Sequence, residues 1–348
     1  MKLQIPIDIL LEGVLFLFSF LLLFFIVLAQ IKRKRMRKER RQERWQAEQE
    51  DAFIDFLDTG NWLIKENVQK QWEQEAIESF FLNSLATVNE PIYLQRITGF
   101  VEENFAATYK KKLASRSFTK RMNTLYRIEK FHCTSFQENL YERCVQADVV
   151  EEEKILMLQI LATFQDHRIF DVINEKDFYL SSFHYFDLFE RIEDSIIQYW
   201  IQTLFEEMKL DFQYAVVEYI GNKGWSEYES FLFRLAQSEE TELRIRAYKS
   251  LYSFHYIQEI TPLFPYFETD IWQEKMWLSK ISMIHHHDYC VSYLRKWVAD
   301  ASWYVRRAAA SALYSYPNGK QELENIAQYS EDAFARDVAM ECLERRGG

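Results

Sequence analysis

The residues best placed by type to do chemistry are His285, His286, His287 and Asp288, with Cys290 two positions on. Imidazole, thiolate and carboxylate are the ligands that zinc takes, in sets of three or four. Consecutive imidazoles on a helix diverge by about 100° each, so three in a row cannot close on one ion. Only His286 and Cys290, at i and i+4, would share a face. No second ligand pair is evident in the sequence, and the cluster falls between two expected helices, so it reads as an exposed turn and no metal is assigned. Gly221 and Gly224 are the other place where chemistry could sit, but the segment lacks the spacing of a phosphate-binding loop and the Ser or Thr that follows its Lys. It reads as a turn. There is no Gly-x-Ser-x-Gly elbow and no His-Glu-x-x-His helix. Neighbouring carboxylates such as Glu151-Glu152-Glu153, Glu206-Glu207 and Glu239-Glu240 are expected on solvated faces of so acidic a chain. No catalytic or cofactor-binding residue follows, and the expectation is a protein that is not an enzyme. Cys133, Cys144, Cys290 and Cys342 form no Cys-x-x-Cys pair, which fits a reducing compartment and small buried hydrophobes.

The elements that would position any site are helices. The 348 residues include 8 Gly and 5 Pro, against the roughly 24 and 17 that average usage would give, so turns are few and helices long. From Gln42 onward apolar residues recur at three and four rather than two. Residues 13–29 carry no charge, and the apolar run extends over 9–31. About 20 residues at 1.5 Å rise match a hydrocarbon core roughly 30 Å thick. Ser19 interrupts the run, and its hydroxyl can return a hydrogen bond to the preceding turn. A cleaved signal sequence is the rival reading, since Val27, Leu28 and Ala29 offer small residues. Charge opposes it: only Lys2 precedes the apolar run, whereas Lys32, Arg33, Lys34, Arg35, Arg37, Lys38, Arg40, Arg41 and Arg44 follow it. The positive-inside rule then keeps that end in the cytoplasm and sends the N-terminus out. The basic residues serve topology and a solvated helix face, with attraction to anionic lipid as the sharper reading.

Net charge divides the chain. Residues 1–31 contribute −1 and residues 32–44 contribute +7 to a total of −11, leaving −17 on residues 45–348. A body that acidic disfavours nucleic acid, whose phosphates need Lys and Arg.

Internal repetition decides the kind of helical protein expected. Arg244, Ala247 and Leu251 share their spacing with Arg306, Ala309 and Leu313, and with Arg336, Ala339 and Leu343. The arginines step by 62 and then 30, a beat of about 31 residues. Lys275 falls where a missing unit should centre, and Gln213 one period earlier. Each unit has room for two helices, with the partner helices expected at 226–237, 257–267, 289–298 and 320–329 and N-caps at Thr241, Asp270, Ser302 and Asp332. The shared alanine lets neighbouring helices approach closely. The segment from Asp300 through Val305 and Arg306 to Leu313 resembles the second helix of a HEAT-type repeat. Gln213 and Lys275 depart from that pattern, and residues 62–200 are bulkier and more aromatic than a standard unit. What the resemblance implies is an all-α fold: one transmembrane helix followed by an α–α superhelical solenoid, irregular in its N-terminal half, in which the motif residues are structural and the stacked units form a binding surface.

The expected organisation is a short outer N-terminus (1–8), a transmembrane helix (9–31), a basic and then charged juxtamembrane helix (32–61), an irregular helical domain (62–225) and HEAT-like repeats (226–348). The expected function is a membrane-tethered cytoplasmic adaptor that binds membrane-associated protein partners, in a setting such as an envelope-building or secretion assembly, without cofactor or nucleic acid. Two alternatives stand beside it. A ligand-binding or enzymatic domain in the N-terminal half would show a polar-lined pocket there. A self-associating structural protein would use a seam hinted at by Trp45, Ala52, Phe56 and Leu57. Aromatic residues, 16% of the chain, are read as core packing with some surplus left on the surface.

Overall fold

Every described element is helical, as a chain so poor in glycine and proline requires. A computed structural model describes residues 7–62, 70–88 and 90–347, with side chains at 7–12, 14, 346 and 347 excepted, and no strand occurs among them. The expected outer segment 1–8 lies almost wholly outside the described residues. The chain forms two compact units, Met1–Asp166 and His167–Gly348, whereas the sequence pattern places its division at 225/226.

The N-terminal unit begins with α1, Ile7–Glu48, a helix of 42 residues. It has no internal proline, and Ser19 Oγ donates to Leu15 O at 2.8 Å as its position predicts. From Leu15 the helix is long and apolar enough to cross a membrane, and none of its apolar stretch is buried. Phe16 and Phe25 are 73% and 68% exposed; a continuous apolar face of that extent is costly in water and at home in hydrocarbon. Then follow α2 (Glu50–Thr59), α3 (Gln71–Thr87), α4 (Pro91–Leu113), α5 (Phe118–Lys130), α6 (Gln137–Cys144) and α7 (Glu151–Thr163). Pro91 opens α4, where its missing N–H has no helical acceptor to lose. The core here is built of rings: Phe53 stacks on Phe80 at 4.4 Å, Trp62 meets Phe100 at 4.2 Å with the rings tilted by 40°, and Phe81 and Phe105 are buried. Phe56 and Leu57 are buried in it and Trp45 meets Phe53 and Trp72 edge-on. The hinted self-association seam is thus consumed inside the unit.

The C-terminal unit contains α8 (Ile169–Ile173), α9 (Ser182–Phe189), α10 (Asp194–Tyr199), α11 (Leu210–Lys223), α12 (Glu229–Leu235), α13 (Thr241–Ser253), α14 (Trp272–Ile284), α15 (Asp288–Trp297), α16 (Trp303–Ser315), α17 (Gly319–Tyr329) and α18 (Ala333–Gly347). Packing follows the 31-residue beat. Helix α11 packs on α13, α13 on α14, α14 on α16 and α16 on α18, while α12, α15 and α17 pack on α13, α16 and α18. Small residues permit the close approach: Ala247, Ser279, Ala309 and Ala339 are fully buried. Gly221 belongs to α11 rather than to a turn, and a Cβ there would lie 2.8 Å from the Ser250 backbone of α13. Ser250 Oγ donates to Val217 O and Ser253 Oγ to Gly221 O, both at 2.8 Å, across the same seam. Gly224 alone makes the turn, with φ of 67° in the left-handed region that glycine enters freely.

Two local expectations need correcting. The segment expected as a helix at 257–267 is a 3₁₀ stretch, Thr261–Glu268, because Pro262 and Pro265 remove backbone donors. Of the expected N-caps, Asp332 accepts from Ala335 N at 2.7 Å. Ser302 holds the N-cap position of α16 as expected, although its side chain makes no cap bond; α13 is capped by Glu240, which accepts from Glu242 N, in place of Thr241, and Ile271 rather than Asp270 stands at the N-cap of α14.

Candidate functional site

The cations at 244, 275, 306 and 336 come first, because each stands in the first turns of its helix, α13, α14, α16 or α18. Arg306 Nη1 donates to Asp300 O at 2.9 Å and Ala301 O at 3.0 Å. Arg336 does the same to Ser330 O and Glu331 O, at 2.7 and 3.2 Å, and Arg244 to Ser238 O and Glu239 O, at 2.8 and 3.0 Å. Each guanidinium therefore ties down the loop six and five residues behind it. Arg244 also pairs with Glu274 at 2.7 Å. Lys275, too short to fold back over its own loop, reaches forward to Asp300 Oδ2 at 2.9 Å. Ala247, Leu251, Val305, Ala309, Leu313 and Ala339 are buried around these clasps, and Leu343 is half-buried.

Sequence reasoning missed the same clasp in the N-terminal unit. Arg121 Nη1 donates to Ser115 O, again six residues back, at 2.9 Å. Its other nitrogens grip both oxygens of Glu153 at 2.8–2.9 Å. Glu153 is 2% exposed, so one of the carboxylates assigned to a solvated face is buried. Arg121 lies 123 residues before Arg244, four periods of the beat, with Thr124 and Ile128 buried at the Ala and Leu positions.

The nine cations expected beside the membrane, from Lys32 to Arg44, are all exposed. They are not one solvated face, however. Lys38 pairs with Glu75 of α3, and Arg41 lies 4.0 Å over the Trp72 ring. Gln42 and Gln46 of α1 add hydrogen bonds to Trp72 O at 3.3 Å and Ala76 O at 2.6 Å. Burial pushes the Glu75 carboxyl up, but Lys38, Gln71 and Gln42 outweigh it and hold the group below the usual carboxylate range. Arg35 pairs with Glu39 at 2.8 Å. Lys32, Arg33, Lys34, Arg37, Arg40 and Arg44 have no acidic partner among the described residues.

The histidines do not face one another. His285 Nδ1 meets Ile257 O at 3.2 Å, His286 Nε2 meets Ser315 Oγ at 3.0 Å, and His287 Nδ1 accepts from Tyr289 N at 3.1 Å as the cap of α15. Cys290 is buried, and burial raises its thiol pKa. The cluster is a joint between neighbouring helices rather than the open turn expected: His286 and Asp288 are exposed, His285 and His287 half-buried.

The surface with the most contact chemistry lies along the first turns of α14, α16 and α18. Trp272, Tyr304 and Phe334 are 40%, 56% and 63% exposed, each two or three residues before the motif cation. Trp272 stacks on Tyr304 with ring centroids 5.3 Å apart, and the Arg306 guanidinium lies 5.0 Å from the Phe334 ring. Beside the row is a groove of about 360 Å³ between α13, α14 and α16, lined by Tyr252, Met276, Met283, Trp303, Lys280 and Arg307 among others. Lys280 sits 3.9 Å over the Trp277 ring, and Arg307 5.2 Å over Trp303. Burial, with Lys249 adding repulsion, lowers the Lys280 pKa. Exposed rings and adaptable methionines beside cations can bind a chain segment that carries apolar and acidic side chains.

No protein-family model matches this chain, and no curated protein matches it. Among solved structures it is similar to the crystal structure of an engineered protein from the Northeast Structural Genomics Consortium, at 12% sequence identity, with 79% of each chain covered and a TM-score of 0.33. A likeness of that degree carries no argument about fold or function.

Proposed function

We propose that this protein is a membrane-tethered adaptor: α1 spans the bilayer with the body on the cytoplasmic side, and a HEAT-like array of helix pairs holds protein partners there. The observation that carries the reading is the row Trp272, Tyr304 and Phe334, exposed rings recurring at equivalent first turns of successive packed helices. A scaffold that displays an exposed ring on three successive helices makes an extended docking edge, and aromatic side chains dominate contact energetics at interfaces. The recurrent arginine clasp supports the HEAT-like assignment, because it marks the same helix in each unit. Lys280 and Arg307 beside the row, in a body of net charge −17, favour a partner segment with acidic and apolar residues. The tether raises the effective concentration of that partner at the leaflet without any new contact.

The test is affinity capture of full-length protein from detergent-solubilised native membranes, side by side with the Tyr304→Ala/Phe334→Ala variant. The proposal expects one defined membrane protein that is retained by the first and lost from the second. A partner set unchanged by the variant would remove the aromatic row from the account.

A further inference from the structure

The N-terminal unit holds a polar cavity of about 560 Å³ walled by α3, α4 and α5. Four cations line it, Lys111, Lys112, Lys120 and Arg127, against one carboxylate, Glu75. A second carboxylate, Glu78, is completely buried behind the wall, where it anchors Arg127 and lies 3.8 Å from Lys112. Glu75 is itself engaged by Lys38. Lys111 and Lys120 have no acidic partner among the described residues. Counting Lys38, five cations converge with two carboxylates, in a body whose net charge is −17. Like charges gathered in one concavity repel unless an anion sits among them. Burial lowers the Lys112 pKa, Glu78 works against it and Arg127 adds to it.

We infer that this cavity binds a phosphate-bearing anion. Its size is that of a small-molecule site, where a few polar groups fix orientation. Asn123, Thr108 and Gln74 add neutral donors to the cations, and phosphate oxygens accept from both kinds. The anion has two sources, a lipid headgroup or a soluble phosphate compound. Lys38 stands seven residues beyond Ile31, about 10 Å along the helix axis, which brings the Glu75 wall near headgroup depth if α1 spans a bilayer. The lipid source rests on the tether reading; the soluble source does not.

The test uses full-length protein in nanodiscs and follows its thermal unfolding midpoint. Discs of phosphatidylcholine are titrated with sodium pyrophosphate, and separate discs contain added phosphatidylglycerol. Two variants are compared with the natural sequence: Lys111→Gln/Lys120→Gln, which changes exposed cavity cations, and Lys32→Gln/Arg33→Gln, which removes two cations outside it. The expected result is a rise in midpoint with one of the anions. The apparent affinity falls about tenfold or more in the cavity variant and holds in the juxtamembrane variant. A response to pyrophosphate identifies a soluble ligand, and a response to phosphatidylglycerol alone identifies a headgroup. No response to either anion, or equal responses in the natural sequence and the cavity variant, or equal losses in both variants, would overturn the inference.

Discussion

Arg121 and Arg244 each place one guanidinium between the loop behind their own helix and a carboxylate on a neighbouring helix, Glu153 and Glu274, both 2% exposed. Among the described residues, Arg306 makes the loop contacts and the ring contact and no ion pair. Removing one partner of a buried pair strands the other charge, so Arg121→Gln and Arg244→Gln each cost about 3–5 kcal/mol. Arg306→Gln leaves only carbonyl acceptors short and costs about 1–2 kcal/mol. Urea unfolding of the three variants checks this order, and equal losses would refute it. Arg244 and Arg306 were legible because Ala and Leu follow them at fixed spacing. Arg121 was not, because Thr124 and Ile128 fill those places, and a buried Glu153 looks no different in sequence from its solvated neighbours Glu151 and Glu152. Cysteine chemistry gives a second residue-scale prediction. Burial, with Glu102 adding to it, pushes the Cys133 thiol up to about 12, so at pH 8 it stays protonated and resists iodoacetamide until the protein unfolds. Rapid alkylation under native conditions would contradict the buried position.

Helix pairs were readable from the 31-residue beat because periodicity and alanine spacing carry over into packing. Three of the four expected partner segments are α-helical at or within the expected stretch, and the fourth tightens to 3₁₀ where two prolines withdraw donors. Gly221 was misread as part of a turn, since nothing in the sequence around it says that α13 passes so close. Gly221→Ala inserts a methyl group 2.8 Å from the Ser250 backbone and is expected to cost about 1–3 kcal/mol. Thermal unfolding would show it, and an unchanged midpoint would mean that the α11–α13 seam yields. The docking of α1 on α3 responds to acid. Because the Glu75 carboxyl titrates below the usual carboxylate range, its contribution is complete above that range and is lost as pH falls through the depressed value. Acidification should therefore weaken the hold of α1 on α3 at Lys38 and Glu75 while the Gln42 and Gln46 hydrogen bonds remain, which a spin label on each helix would report as a broadened distance distribution.

At the scale of the molecule, the apolar stretch of α1 and the cations behind it were plain in the sequence, since length and charge asymmetry need no tertiary information. The cavity between α3, α4 and α5 was not, because its cations come from three helices whose order in sequence says nothing of their convergence. The choice of face was equally hidden: Trp272, Tyr304 and Phe334 look like core residues until their exposure is seen. If α1 spans a membrane with positive charge inside, protease added to intact cells leaves residues 45–348 whole, and permeabilised cells lose them; digestion in intact cells would invert the topology. The adaptor account itself is tested most directly by a photo-crosslinking amino acid placed in full-length protein at Tyr304, at Phe334 and, as a control, at Glu324, each exposed. The account predicts that the first two sites capture the same membrane protein in living cells and the third does not. Capture with equal yield from all three sites, or of no protein from the first two, would contradict it.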